Sequence, residues 1–420
     1  MITDLIYRCP LCGGFDWLES GSCIFCNAHV DLISRSHISI NGDTQPISDW
    51  YRKVLSFDLP DKADGSVLKS NLVNLSREVQ NGPYKGFGGI FAIHFTRRTV
   101  DTGTVTMYKT SLTFSGKALS IEIPFQKITS MTIESNTIIV VSSEHGPLFF
   151  DFLEESGKKW EDFFQKALRK FHAPEEIVEF YPRIRFRRDL KERPAKVVGH
   201  PELKPSVHKW YPSDYSPLFA VLKTILRPII KKVFSVTANG LENIPEHGPA
   251  IITPNHTSFL DSIILGALPN RHIWFMAKNS EYRHLFLKWF LTIGNAFPVR
   301  RYTNDVLAVR NAARIVQGGH ILGIYPEGER TWDGKMLPLR YGTIRLILAL
   351  AAPVIPVGIN GAYELMPRWT GAVRKVPVTI NIGKPVRFEH IPIPKQTRRD
   401  IESASRLLRS EITKLSGVKS

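Results

Sequence analysis

Between residues 86 and 152 short β-rich runs alternate with turns rich in glycine, asparagine or charge. That alternation predicts strands over 90–95, 104–108, 112–114, 118–123, 128–133, 137–141 and 148–152. The period then lengthens to a helical one over 158–171, where Trp160, Phe163, Phe164, Ala167, Leu168 and Phe171 share a face. Further on, Leu218, Val221, Leu222, Ile225, Ile229, Ile230 and Val233 form one apolar face, with Lys223, Arg227 and Lys231 on the other. This pattern predicts an interfacial basic amphipathic helix over 217–234, kinked at Pro228. From 235 to 390 strand-like runs (235–239, 250–254, 273–277, 321–325, 354–359, 378–382) alternate with helical ones (262–268, 305–317, 343–351). This order predicts an α/β domain whose site lies at strand ends. Residues 397–415 read as a charged surface helix.

The 420 residues are 43% hydrophobic and 22% charged, as expected of a folded chain of two or three domains. A formal net charge of +16 calls for an acidic partner, either an anionic membrane surface or nucleic acid. No run reaches about 18 uncharged apolar residues, so no transmembrane span is expected. The start lacks the basic and apolar regions of a signal peptide, which leads to the expectation of a cytoplasmic protein, peripheral on the cytosolic membrane face.

All four cysteines fall in the first 26 residues, as Cys9-Pro10-Leu11-Cys12 and Cys23-Ile24-Phe25-Cys26. Two such knuckles suit tetrahedral zinc, whereas disulfides are disfavoured in a reducing cytosol. Gly13-Gly14 and Asn27 permit the tight turns that the site needs. A closed set of four thiolates leaves no open coordination position, so the metal is read as structural.

The expected organisation is therefore multidomain. Residues 1–35 are zinc-ribbon-like and 36–85 form a connector of mixed signal, with a turn or two of helix over 49–55 and a loop over 58–65. The β-rich module with its C-terminal helix, 86–172, resembles a pleckstrin-homology or GRAM-like sandwich in element order. Arg97, Arg98, Lys109 and Lys117 in it form either an anionic-lipid patch or a solvated face. Residues 173–216 are a basic, proline-rich linker containing Arg183, Arg185, Arg187 and Arg188 around Phe186. Basic residues interleaved with aromatics suit single-stranded nucleic acid or a membrane surface. The amphipathic segment over 217–234 and the α/β domain over 235–420 follow.

Candidate chemistry centres on Asn255-His256-Thr257-Ser258-Phe259-Leu260-Asp261, between a strand and a helix. At that turn His256 and Asp261 can meet, and the carboxylate would then fix the imidazole tautomer and stabilise the imidazolium. The plainer alternative is a turn histidine beside a capping side chain.

Three segments follow in order: Phe297-Pro298-Val299-Arg300, Tyr325-Pro326-Glu327-Gly328-Glu329-Arg330-Thr331 and Val354-Ile355-Pro356-Val357. With the first, they resemble the four motif blocks of the glycerolipid acyltransferase family, of the 1-acylglycerol-3-phosphate acyltransferase type, over residues 235–390. The resemblance implies transfer of a fatty acyl group from acyl-CoA or acyl-carrier protein to a lysophospholipid, with 1-acylglycerol-3-phosphate the first choice. It implies His256 as base with Asp261 as its orienter. Arg300 and Arg330 would meet a phosphate, supported by Arg301 and Lys278. Glu327 and Gly328 fall in the acceptor-binding block, and the fourth block packs the sheet or the acyl chain.

Two departures stand out: Glu329 occupies a position usually held by Thr or Ser, and Tyr325 one usually held by Phe. The extra carboxylate keeps a different lysolipid or lipid alcohol open as acceptor. A non-catalytic membrane-lipid-binding protein is the other alternative. A nucleic-acid partner is disfavoured because it leaves the four blocks unexplained.

Overall fold

The computed structural model describes residues 2–60, 62, 64–86, 90–172, 177–179, 185–186, 217–303 and 305–417. The basic linker over 173–216, including most of its arginine cluster, lies almost wholly outside them. The chain divides into two compact units, Met1–Val79 with Thr96–Pro194, and Gln80–Phe95 with Ala195–Ser420.

In the first unit β1 (Leu18–Glu19) and β2 (Ser22–Cys23) form a small antiparallel hairpin that carries one cysteine knuckle. An antiparallel sheet of β3 (Val30–Leu32), β4 (His37–Ile40) and β5 (Asp43–Pro46) follows, then α1 (Ile47–Ser56). The main sheet uses β6 (Ser66–Lys69), β7 (Val73–Lys85), β8 (Phe91–Tyr108), β9 (Ser111–Gly116), β10 (Ser120–Pro124), β11 (Ile128–Glu134), β12 (Thr137–Ser142) and β13 (Gly146–Phe152). Their order is β10-β9-β8-β7-β13-β12-β11, with β6 beside β8. α2 (Gly157–Phe171) is capped by the Ser156 hydroxyl, which accepts from the Lys159 amide. It buries Trp160, Phe163, Phe164 and Leu168, with Trp160 stacked on Phe152 at 5.0 Å. β14 (Ile177–Glu179) and β15 (Arg185–Phe186) pair beyond it.

The sheet begins earlier in the chain than the alternation indicates. β6 and β7 lie in the stretch read as a connector, because the polar residues of β7, from Asn74 to Asn81, hide its period. The expected strands 90–95 and 104–108 are one continuous β8, since Arg97 to Gly103 extends rather than turns. Arg97 does not join a surface patch. It pairs with Glu134 at 2.5 Å, lies 3.7 Å from Asp151 and stacks over Phe149, with 13% of its side chain exposed.

In the second unit α3 (Pro217–Val233) precedes β16 (Thr237–Asn239), β17 (Ala250–Pro254) and α4 (Asp261–Ala267). β18 (Ile273–Lys278), α5 (Leu285–Ile293), β19 (Phe297–Val299), α6 (Val306–Gln317) and β20 (Ile321–Gly323) follow. The chain closes with α7 (Tyr341–Leu350), β21 (Val354–Asn360), α8 (Ala362–Leu365), β22 (Thr379–Ile382) and α9 (Arg398–Ser416). The sheet order is β16-β22-β21-β17-β20-β18-β19. The strands from β21 to β19 run parallel, whereas β22 is antiparallel to β21. Helices cover both faces, so the central strands are apolar throughout, as parallel strands must be. Val354 to Val357, the fourth motif block, is wholly buried and packs the sheet.

Three elements differ from the patterned expectation. α5 fills a stretch with no predicted element. α9 is no free surface helix, since Ile401, Ala404, Leu408 and Ile412 are buried in the core. α3 packs on the protein partly through its basic side. Lys223 is buried and donates to the Arg271 carbonyl at 2.9 Å, and Arg227 donates to the carbonyls of Ala267 and Pro269, both at 2.9 Å. These bonds satisfy the Ala267 carbonyl at the end of α4, which a helix terminus leaves without a partner, and two carbonyls of the segment that follows it. Lys223 and Arg227 of the basic face thus turn toward the protein, as does Ile230 of the apolar face, whereas Lys231 is exposed. Leu218, Val221, Ile225, Ile229 and Val233 face outward.

Candidate functional site

β17, β20, β18 and β19 are neighbours in that order, and each delivers motif residues at its C-terminal end. His256 follows β17, Tyr325 to Arg330 follow β20, Lys278 ends β18, and Arg300 and Arg301 follow β19. In an open parallel sheet this edge is where ligands bind.

The turn after β17 is organised by a carboxylate. Asp261 is fully buried, and its Oδ2 accepts from the amides of Thr257 at 2.7 Å and Ser258 at 2.8 Å. The same oxygen lies 2.9 Å from His256 Nδ1. A proton on Nδ1 then completes the bond, leaving Nε2 as the acceptor. The His256 side chain is 18% exposed, and its ring stacks on Tyr325 at 3.8 Å. Burial lowers the imidazole pKa below its usual 6.5. Asp261 opposes that shift, and the charges of Arg330 and Arg301 add to it. The ring is accordingly neutral at pH 7. Burial and the charge of Asp261 hold the Tyr325 phenol far above its usual range, and its oxygen accepts from Ser262 at 2.9 Å.

Glu327 locks the two loops together. One of its oxygens accepts from the His256 amide at 2.7 Å, the other from the Leu337 amide at 2.6 Å. The Thr331 amide donates back to the His256 carbonyl at 2.9 Å. Burial pushes the Glu327 carboxyl up to about 8, against the pull of those two amides. With both oxygens spent on backbone amides, Glu327 is a bracket for the histidine turn. Arg409 of α9 extends this bracket, donating to the carbonyls of Leu337 at 2.6 Å and Met336 at 2.9 Å. Gly328 has φ +75°, and a Cβ there would collide with the Arg340 side chain, so the turn requires glycine.

The cations divide. Arg330 is close enough to His256 and Asp261 for its charge to act on both. Burial lowers its pKa to about 10, helped by Arg368, which leaves it charged at neutral pH. Arg301 bonds directly to the third block, donating from Nη1 to the Gly328 carbonyl. Arg300 stacks over Phe95 at 4.2 Å and bonds Asp305 through its amide at 3.0 Å. Lys278 stands beside Val299 in register, next to Arg300.

Glu329 does not present a bare charge. Arg368 pairs with it at 2.6 Å, donates to the Arg330 carbonyl at 2.9 Å and stacks on Trp332 at 4.2 Å. Nothing in the local pattern around residue 368 points to this role. It arises because the chain after β21 returns over the site, where Ser258 also donates to the Met366 carbonyl at 3.1 Å.

In the first unit the four cysteine sulfurs lie within 4.8 Å of one another. Cys9 to Cys26 is 3.8 Å and Cys12 to Cys23 is 3.7 Å. A disulfide needs about 2.05 Å, whereas the edge of a tetrahedron with metal–sulfur bonds of about 2.3 Å is about 3.8 Å. Both knuckles close alike, since the amides of Gly13 and Asn27 donate to Cys9 and Cys23 at 2.9 Å, and both residues have positive φ. The donor set fits a tetrahedral zinc ion.

Among the described residues no helix is long and apolar enough to cross a membrane. Exposed apolar side chains gather instead on α3 and on α5, where Leu285, Phe286 and Trp289 are 84%, 76% and 50% exposed. A Cβ at Gly294, just past α5, would lie 3.7 Å from Phe219 of α3.

Residues 235–360 match the family model described as Acyltransferase, so this segment is an acyltransferase-family domain. The chain is 26% identical over 195 residues to a 1-acyl-sn-glycerol-3-phosphate acyltransferase of Bacillus subtilis, covering 45% of this chain and 94% of that one. It is 26% identical over 157 residues to a chloroplastic 1-acyl-sn-glycerol-3-phosphate acyltransferase of Brassica napus, covering 36% of this chain and 45% of that one. It thus spans about half the length of the latter. Among solved structures, the 1-acyl-sn-glycerophosphate acyltransferase PlsC of Thermotoga maritima aligns with a TM-score of 0.40 at 23% identity, covering 49% of this chain and 85% of that one.

Proposed function

We propose that the chain is a peripheral-membrane O-acyltransferase that moves a fatty acyl group from a thioester, acyl-CoA or acyl-carrier protein, to the free hydroxyl of a lysophospholipid, with 1-acylglycerol-3-phosphate the preferred acceptor. The observation that carries this reading is the 2.9 Å contact of Asp261 with His256 Nδ1, which leaves Nε2 as a neutral base at the strand ends. Nε2 takes the acceptor's hydroxyl proton as the oxygen attacks the thioester carbonyl. The tetrahedral intermediate collapses with loss of the thiolate, which recovers the proton from the imidazolium as free thiol. Asp261 stabilises that imidazolium in between.

Arg330 and Arg301, with Arg300 and Lys278 beside them, supply the positive charge for a phosphate-bearing acceptor. The pairing of Glu329 with Arg368 supports this choice, because the carboxylate's charge is offset before any ligand arrives.

The surrounding parts take supporting roles. Zinc on Cys9, Cys12, Cys23 and Cys26 would supply folding energy to a ribbon with little core of its own. The strands closed by α2 form a pleckstrin-homology or GRAM-like module. The outward apolar rows of α3 and α5 would enter the headgroup region of a bilayer, giving the site access to a membrane-dissolved acceptor on the cytosolic face.

The deciding experiment incubates the purified chain with acyl-CoA and lysophosphatidate and follows release of free CoA. His256→Ala should abolish release while leaving circular dichroism and unfolding unchanged. Equal turnover in the variant would remove the base.

A further inference from the structure

Residues 80–86 and 90–95 lie far upstream of the acyltransferase-family segment, yet they pack as part of its unit. Tyr84, Ile90 and Ala92 are buried in the core that also holds Tyr282, Phe297 and Leu322. The Tyr84 hydroxyl lies 3.2 Å from both Thr292 Oγ1 and the Ala296 carbonyl, and its ring packs edge-on against Tyr282. Asn311 of α6 holds the Phe91 backbone from both sides, donating to its carbonyl at 2.9 Å and accepting from its amide at 3.5 Å. Asn279 donates to the Phe95 carbonyl at 3.2 Å. The arm is thus fastened to the end of β18, to α5 and to α6. Lys278 is the last residue of β18, and Arg300 and Arg301 lie between β19 and α6.

At the end of the arm the Phe95 ring lies under the Arg300 guanidinium, 4.2 Å from ring centre to Cζ. Asp305 flanks the same side chain, with Oδ2 4.0 Å from Nε. An arginine that must meet an anion loses rotamer freedom on binding unless something already holds its plane. An aromatic face holds it by cation–π attraction and consumes none of its N–H donors, whereas a second carboxylate would compete for them.

We infer that the arm formed by residues 80–86 and 90–95 is a working part of the acceptor site, in which Phe95 is the positioning residue for Arg300. The inference rests on the reading of a phosphate-bearing acceptor. It makes that site depend on a segment outside the four motif blocks.

The test compares Phe95→Leu, Phe95→Ala and Phe95→Tyr with the wild type, using the full chain, acyl-CoA and lysophosphatidate. Leucine keeps apolar volume without a π face, and tyrosine keeps the face. Phe95→Leu should raise KM about fivefold to tenfold with kcat within about twofold, and Phe95→Tyr should restore KM. Phe95→Leu with the wild-type KM, or a loss confined to kcat, would overturn the positioning role. Phe95→Ala tests removal of the side chain, and the leucine variant decides should the alanine variant not fold. Absence of turnover in the wild type would instead remove the acceptor reading, and this inference with it.

Discussion

Breaking the Glu329–Arg368 pair should reveal how the third block is held. Their side chains are 1% and 6% exposed and 2.6 Å apart. Arg368→Met removes the counter-charge from a buried carboxylate, which costs about 3–5 kcal/mol for a buried pair. It also deprives the Arg330 carbonyl of its 2.9 Å donor and Trp332 of its stacked cation. Glu329→Gln should cost less, about 1–3 kcal/mol, because Arg368 keeps those two partners. With both charges gone, the loss in Glu329→Gln/Arg368→Met should fall short of the sum of the single losses by a coupling of about 2–3 kcal/mol.

Urea unfolding of the full chain, read by hydrogen exchange on peptides covering 320–340, localises the transition to this loop. Turnover assayed alongside should show Arg368→Met raising KM for lysophosphatidate, since Arg330 loses its anchor. Additive single losses, or an Arg368→Met variant within about 1 kcal/mol of wild type, would refute the claim that Glu329 is neutralised in place.

Because burial holds the His256 pKa below 6.5, the base stays neutral further into acid than an exposed imidazole. The acid limb of kcat/KM should therefore fall below pH 6.5, and a limb at or above that value contradicts the assignment. Vesicle flotation should depend on the outward rows of α3 and α5: Ile225→Ser with Trp289→Ser should release the chain, while raising salt from 0.1 to about 0.5 M should change little. Salt-reversible binding would point to charge as the driver instead. Chelation of zinc should unfold the segment around Cys9 to Cys26, seen as fast hydrogen exchange there, with CoA release by the second unit unchanged. Loss of both together would assign the ribbon a larger task.

What the chain's pattern discloses, and what it hides, follows from which interactions are local. The contact of His256 with Asp261 is legible because five residues at a strand-to-helix turn bring the two together without help from elsewhere. The parallel strands are legible because burial on both faces makes them continuous apolar runs. β7 is hidden because its polar residues mask the alternation. The orientation of α3 is hidden for a different reason. Its two faces are plain in the sequence, but which one meets protein depends on carbonyls at the end of α4 that only the folded chain brings near Lys223 and Arg227. Charge on a helix thus identifies a face without saying what it faces.

The same limit explains the missing supports of the site. Arg368 reaches Glu329 across 39 positions, Arg409 reaches Leu337 across 72, and Phe95 meets Arg300 from a different part of the chain. None sits at a spacing that marks it. Each motif block therefore contributes side chains of the right chemistry, and part of their geometry is set by residues outside the blocks. Substitutions at Phe95, Arg368 and Arg409 should consequently act on KM and on loop stability before they act on the chemical step. Substitutions at His256 should do the reverse, and that split distinguishes positioning from proton transfer in one set of kinetic measurements.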